Sequence, residues 1–275
     1  MRKKFLLLAL ALAAAFSTDA TTALNFSKAN ADDGQRIAKV WLIGGQSNAH
    51  GVTYSADITQ PDMGTVKYYD SHSNLIVPMR MGFGMDASRF GPEVGIAEIL
   101  AQKMPNEEHF IIKYAWGNTD LYQDWRSPSA GGSKGIQYTA FVGAVKKGIM
   151  KLQNEGYKTE ICGMAWVQGE NDCIYEYKAN EYAQNLYCLL HDFYAEFKCE
   201  FPVVLSGEIE ESYYRPYHQK VVRAKRAVAE AMDGVVYMSI SDINVMASDP
   251  WHYDGPSMLK AGQKFGALLA KLNGY

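Results

Sequence analysis

The 275-residue chain has no surplus of positive charge: 27 Lys and Arg against 30 Asp and Glu leave a formal net charge of −3. A nucleic-acid binder needs a basic excess to displace counterions from phosphates, so nucleic acid is not an expected partner. Long apolar runs are missing too. The run Phe5–Phe16 spans twelve residues, too few to cross ~30 Å of hydrocarbon as a helix. A mean hydropathy of −0.22 argues against a polytopic membrane protein. Cysteine is sparse: Cys162, Cys173, Cys188 and Cys199, all within one 38-residue stretch. No Cys-x-x-Cys or clustered Cys/His spacing accompanies them, and no metal site is expected. Two disulfides in any of three pairings, or buried free thiols, both stay open. Repeats, low-complexity tracts and, after residue 35, Pro/Ser-rich linkers are absent, which leaves one domain.

What is present begins with a targeting segment. Arg2, Lys3 and Lys4 precede the short apolar run, and small residues follow it, the pattern of a secretory signal. Cleavage is expected after Ala20, with Ala29-Asn30-Ala31 a more distant alternative. Residues 21–35 then form a poorly ordered lead-in and 36–275 the folded domain. The mature protein is expected to be secreted or periplasmic, without stable membrane association. A 48% hydrophobic composition suffices for a substantial core. Aromatics at 12%, many in polar surroundings, suit a partner with flat, partly apolar faces such as a sugar ring.

Short β-branched runs alternate with longer amphipathic ones. Lys39–Gly44, His109–Ala115, Glu160–Gln168, Pro202–Gly207 and Val235–Ile240 read as strands. Gly91–Met104, Tyr138–Asn154, Glu176–Phe197, Pro216–Met232 and Gly255–Leu272 read as helices. That alternation predicts βαβ units around a parallel sheet, with ligands outside the carboxyl ends of the strands. The first strand runs into Gly44-Gly45-Gln46-Ser47-Asn48-Ala49, a near miss to the Gly-x-Ser-x-Gly nucleophile elbow. The last strand is followed by Ser248-Asp249-Pro250-Trp251-His252. A serine hydroxyl needs a base to take its proton, and an imidazole does so when a carboxylate holds its other nitrogen. Asp249 and His252, three apart on one loop, meet that need. The alternative is that Asp249 caps the final helix. His50 lies near Ser47 but lacks an adjacent acid. His72, His109, His191 and His218 read as structural or solvated.

These residues resemble the SGNH (GDSL-like) hydrolases, and more narrowly the sialate O-acetylesterase/acetylxylan esterase branch, carbohydrate esterase family 6. The resemblance is carried by Gly45-Gln46-Ser47-Asn48, Gly91-Pro92-Glu93, Gly117-Asn118-Thr119-Asp120-Leu121 with Trp125, Trp166-Val167-Gln168-Gly169-Glu170-Asn171-Asp172, and Asp249-Pro250-Trp251-His252. It spans residues 39 to about 266 in the family's order. It implies a three-layer α/β/α sandwich with a central parallel sheet, the flavodoxin-like SGNH hydrolase fold.

The resemblance also implies roles. Ser47 is the nucleophile, His252 the general base and Asp249 its orienting acid. The oxyanion hole comprises the backbone N–H of Ser47, the backbone N–H of Gly91 and the Gln168 amide, with Asn171 as a rival. Gln46, Asn48, Glu170, Asn118 and Trp125 fall in supporting or substrate-binding positions. Where the family has Gly-Gly-Thr, this chain has Gly117-Asn118-Thr119, which puts substrate recognition in doubt. Trp116, Tyr122, Trp125 and Trp251 are candidates for stacking on sugar. The expected activity is removal of O-acetyl groups from an acetylated carbohydrate, without cofactor or metal. The alternatives are an SGNH lipase or arylesterase, and an inactive carbohydrate-binding homologue.

Overall fold

The computed structural model describes residues 34, 36–208 and 214–275. The signal segment, its cleavage sites and nearly all of the lead-in lie outside the described residues. Residues 36–275 form one compact unit. In chain order its main elements are β1 (Ile37–Gly45), the single turn α1 (Ser47–His50), β2 (Thr53–Tyr54), β3 (Lys67–Asp70), β4 (Leu75–Pro78), β5 (Arg89–Phe90), α2 (Glu93–Lys103) and β6 (Glu108–Ala115). There follow α3 (Ile136–Asn154), β7 (Lys158–Val167), α4 (Glu176–Phe197), β8 (Val203–Ser206), α5 (His218–Ala231), β9 (Val235–Met238), β10 (Val245–Met246), β11 (Asp249–Tyr253) and α6 (Gly255–Leu272).

The central sheet has the order β4-β3-β6-β1-β7-β8-β9. The run β6-β1-β7-β8-β9 is the flavodoxin-like order, second-first-third-fourth-fifth. All pairings are parallel except that of β3 with β4, an antiparallel hairpin at the edge. The sheet is therefore mixed rather than wholly parallel. Each hairpin strand is only four residues long, too short to show a clear period in sequence.

Strand alternation builds the three layers. Val40 and Leu42 of β1 face a core shared with Phe141 and Val145 of α3, Leu186 and Phe193 of α4, and Val221 of α5. Trp41 and Ile43 face the opposite core, with Val94 and Leu100 of α2 and Met258 and Phe265 of α6. Because β1 lies between β6 and β7, the connection from β1 to β6 through α2 and that from β6 to β7 through α3 run over opposite faces. That opens a crevice at the carboxyl edge of the sheet, where ligand sites of such folds form.

The four cysteines are free thiols, with Cys162, Cys173 and Cys188 buried. Among the described residues no helix is long and apolar enough to cross a membrane. Nor do three or more His, Cys, Asp or Glu side chains gather there in an arrangement that holds a metal ion.

Candidate active site

At the end of β1 the chain must turn without a side chain. Gly45 has φ +140°, and a Cβ there would lie 2.0 Å from the Val167 carbonyl oxygen. Only glycine fits so close an approach at positive φ. The Gln46 N–H then donates to Val167 O at 2.9 Å, and Ser47 opens α1. An opening residue has no intrahelical partner for its N–H. The far end of this turn is held from below. Buried Lys113 of β6 donates to His50 O at 2.9 Å and pairs with buried Glu93 at 2.7 Å. Gly117, just past β6, lies against the nucleophile turn: a Cβ on it would come within 3.6 Å of Ser47 Cβ.

Asp249 and His252 arrive on a different support. Residues 249–253 form β11, paired antiparallel with β10 in a two-stranded ribbon outside the main sheet. Asp249 Oδ2 and His252 Nδ1 are 2.5 Å apart, and the Trp251 N–H donates to Asp249 Oδ1 at 2.9 Å. Burial pushes the Asp249 carboxyl up, but the bonds from His252 and the Trp251 N–H outweigh it and hold it below its ordinary value. Asp249 does not cap the last helix. Asp254 does, accepting from Ser257 N at 2.8 Å.

Asn48, fully buried, joins the two supports. Its Nδ2 donates to Trp251 O at 3.0 Å and its Oδ1 accepts the Tyr253 N–H at 3.2 Å. The peptide groups on either side of His252 are thus fixed to the residue after Ser47. The same Nδ2 donates to Glu170 Oε1 at 2.8 Å. Thr53 Oγ1 donates to Tyr253 O at 2.8 Å, and Arg215 Nη1 to Pro250 O at 3.0 Å. Ser47, Asp249 and His252 face one open cleft of about 1100 Å³. No hydrogen bond joins Ser47 Oγ to His252 in this structure; catalytic hydrogen bonds are often long before substrate arrives. His50 also faces the cleft, stacked on Trp116 with centroids 6.2 Å apart. Burial and the Lys113 ammonium lower its pKa to about 4.

Several expected site residues lie elsewhere. Gly91 is not among the residues lining the cleft, and its N–H donates to Glu93 Oε1 at 2.8 Å. Gln168 is fully buried. Its Nε2 donates to Asp172 Oδ2 at 2.6 Å and to Gln46 Oε1 at 3.2 Å, while its Oε1 accepts from Tyr182 OH at 2.9 Å. Its amide braces the floor instead of facing the cleft. Trp125 is fully buried among Trp166 and Phe141. Its Nε1 donates to Thr119 Oγ1 at 2.9 Å, and that hydroxyl donates to Trp116 O at 2.7 Å. Trp125 therefore supports the wall from behind, and neither it nor Tyr122 is among the residues lining the cleft.

Gln46, Asn118, Glu170 and Asn171 do line the cleft, as do Trp116 and Trp251. Glu170 Oε2 is buried without a hydrogen-bond partner. Asn118 has φ +58°, a conformation Asn tolerates better than most residues, which explains how it stands where the family has glycine. Asn171 Nδ2 donates to Asn118 Oδ1 at 3.1 Å across the rim. Gly117, placed by sequence only within a family motif, comes near Ser47 through the β6–β1 pairing, and His72, read as structural or solvated, also lines the cleft.

Below the floor runs a buried polar network. Asp172 accepts from the Leu121 and Tyr122 N–H groups and from Gln168. Burial raises its pKa to about 7. Lys225, fully buried, is paired with Glu208 and donates to Gln168 O at 2.5 Å and Ser206 O at 2.9 Å. Burial pushes Glu208 up to about 8 despite that lysine.

Residues 37–271 match the model of a family described as carbohydrate esterase, sialic acid-specific acetylesterase. The chain belongs to this family. It is accordingly a carboxylic ester hydrolase of the O-acetyl type. No curated sequence matches it. Among solved structures it is similar to a protein of Arabidopsis thaliana, with TM-score 0.69 and 14% identity over 86% of this chain and 98% of that one. It is also similar to NanS, with TM-score 0.59 and 14% identity over 88% and 99% of the two chains. A carbohydrate acetylesterase of Xanthomonas citri gives TM-score 0.58 and 14% identity over 85% of this chain and 56% of that one. At such identities the likeness is one of fold.

Proposed function

We propose that the protein removes O-acetyl groups from a carbohydrate through Ser47, His252 and Asp249. The observation that carries this reading is the Asp249–His252 pair at 2.5 Å facing the same cleft as Ser47, on a chain of an acetylesterase family. His252 takes the proton of Ser47 Oγ as that oxygen attacks the acetyl carbonyl, and Asp249 orients the ring and balances the imidazolium. The tetrahedral oxyanion is met by the backbone N–H groups of Ser47 and Gly117, with the Asn118–Asn171 amides at the rim. Collapse expels the sugar oxygen, which receives the proton from His252. Water, deprotonated by His252, then attacks the acetyl-serine, and acetate and free Ser47 are restored. Neutral His50, without an acid partner, backs the wall of the cleft.

A panel of acetylated xylan, acetylated sialic acids and acetylated monosaccharides, scored by free acetate against longer-chain nitrophenyl esters, tests the reading. Turnover confined to acetyl esters of carbohydrate is expected; preference for long acyl chains contradicts it. The basic and apolar segment Arg2–Phe16 is proposed to direct export, with the mature chain beginning at Thr21. Amino-terminal sequencing of the protein from a secreting host checks this.

A further inference from the structure

Next to the cleft, at the same edge of the sheet, three tyrosines pack on one another. Tyr177 stacks against Tyr175 with centroids 5.8 Å apart and meets Tyr122 edge-on at 5.1 Å. Tyr175 and Tyr177 are each 52% exposed. Lys178 Nζ lies 5.1 Å from the centre of the Tyr175 ring and 6.0 Å from that of Tyr177, and Asp120 holds it there at 2.6 Å. The Arg126 guanidinium sits 5.4 Å from the Tyr122 ring while donating to the carbonyls of Tyr122, Ala130 and Gly131. Both cations thus have partners within the cluster. Arg126 also lies 3.6 Å from the Glu181 carboxylate, while about half of the Tyr175 and Tyr177 surface stays exposed.

A single exposed aromatic needs no explanation, but a packed and pinned group beside a cleft marks an interaction site. The group adjoins the cleft along the chain. Ile174, which lines it, precedes Tyr175, and Asn171, also on its wall, precedes Asp172, which accepts the Tyr122 N–H. The cleft itself, at about 1100 Å³, exceeds the roughly 300–1,000 Å³ of a pocket for one drug-sized ligand.

We propose that Tyr122, Tyr175 and Tyr177 form a second carbohydrate site, stacking a further sugar of the same chain whose acetylated member sits at Ser47. The proposal rests on the acetylesterase reading of the cleft and names its substrate class as glycan chains in place of free sugars. The C–H face of a pyranose lies on an aromatic ring, and its hydroxyls reach the phenol oxygens. Rings already locked by their neighbours lose little freedom on binding.

Calorimetry on the full-length Ser47→Ala protein reads the site without turnover. The probes are partly acetylated xylohexaose against acetylated xylose, and an O-acetylated sialyl-oligosaccharide against the free O-acetylated sialic acid. In at least one pair the chain binds about tenfold tighter than the free sugar, the gain expected from one or two stacked rings. The double substitution Tyr175→Ala/Tyr177→Ala removes that advantage, and Tyr177→Phe, which keeps the ring, retains it. Equal affinities within both pairs, an advantage that survives the double substitution, or a loss in Tyr177→Phe as large as in the double variant overturns the proposal. Failure of the esterase reading looks different: the wild-type protein then binds the chain and releases no acetate.

Discussion

The proposed nucleophile and the proposed base stand on unequal foundations. Ser47 follows the central strand of a seven-stranded sheet, its turn fitted against Val167 O and capped from below by Lys113. His252 and Asp249 ride a two-stranded ribbon, with side chains 24% and 33% exposed. Asn48, Thr53 and Arg215 tie that ribbon down. One partner inherits its position from the core; the other depends on a few named hydrogen bonds. Local stability differs in the same sense, since segments with few buried contacts open most easily. Substitutions on the two sides should therefore fail differently.

The largest expected effect is chemical. Ser47→Ala should reduce acetate release roughly 10⁴–10⁶-fold, as triad knockouts do elsewhere, with little change in melting temperature. On the sheet side, Lys225→Met strips Glu208 of its cation and removes one donor each from the Gln168 and Ser206 carbonyls. Breaking a buried pair in this way costs about 3–5 kcal/mol, which denaturant unfolding measures. On the ribbon side, Asn48→Ala frees the peptide groups flanking His252. Its kcat should fall about 10- to 100-fold, equivalent to ~1.4–2.8 kcal/mol, while global stability drops less than in Lys225→Met. A stability loss in Asn48→Ala as large as that of Lys225→Met would erase the proposed contrast.

A further effect is a pH dependence. The Asp172 carboxyl titrates near 3.8 in the unfolded chain and about 7 in the folded one. Between those values the folded state keeps a proton that the unfolded state has released. This contribution to stability is full below about 3.8 and declines as pH rises to about 7. Asp172→Asn should flatten the fall in melting temperature between pH 5 and 7. An unchanged slope would contradict the placement of a raised carboxyl there.

Much of this was legible in the sequence. The apolar, β-branched runs gave the strands beside the site, and Gly45-Gln46-Ser47 with Asp249-Pro250-Trp251-His252 pointed to side chains that face one cleft. What stayed hidden depends on neighbours in space. Gly91 and Gly117 are each a glycine at the edge of a secondary-structure element, and only the pairing of β6 with β1 puts Gly117 beside Ser47. Gln168 and Glu170 lie two residues apart, yet one is a buried brace and the other faces the cleft. Trp125 and Trp116 are alike in type; packing against Trp166 takes the first into the core. The β3–β4 hairpin was missed because four-residue strands carry too little pattern.

The most direct test is to quench the enzyme during turnover of an acetylated carbohydrate and map the acetyl group by peptide mass spectrometry. Acetylation of the Ser47 peptide that accumulates with wild type and is lost in both Ser47→Ala and His252→Asn is the predicted result. Acetate release at wild-type rate by Ser47→Ala, with no acylated peptide at any time, would contradict the account.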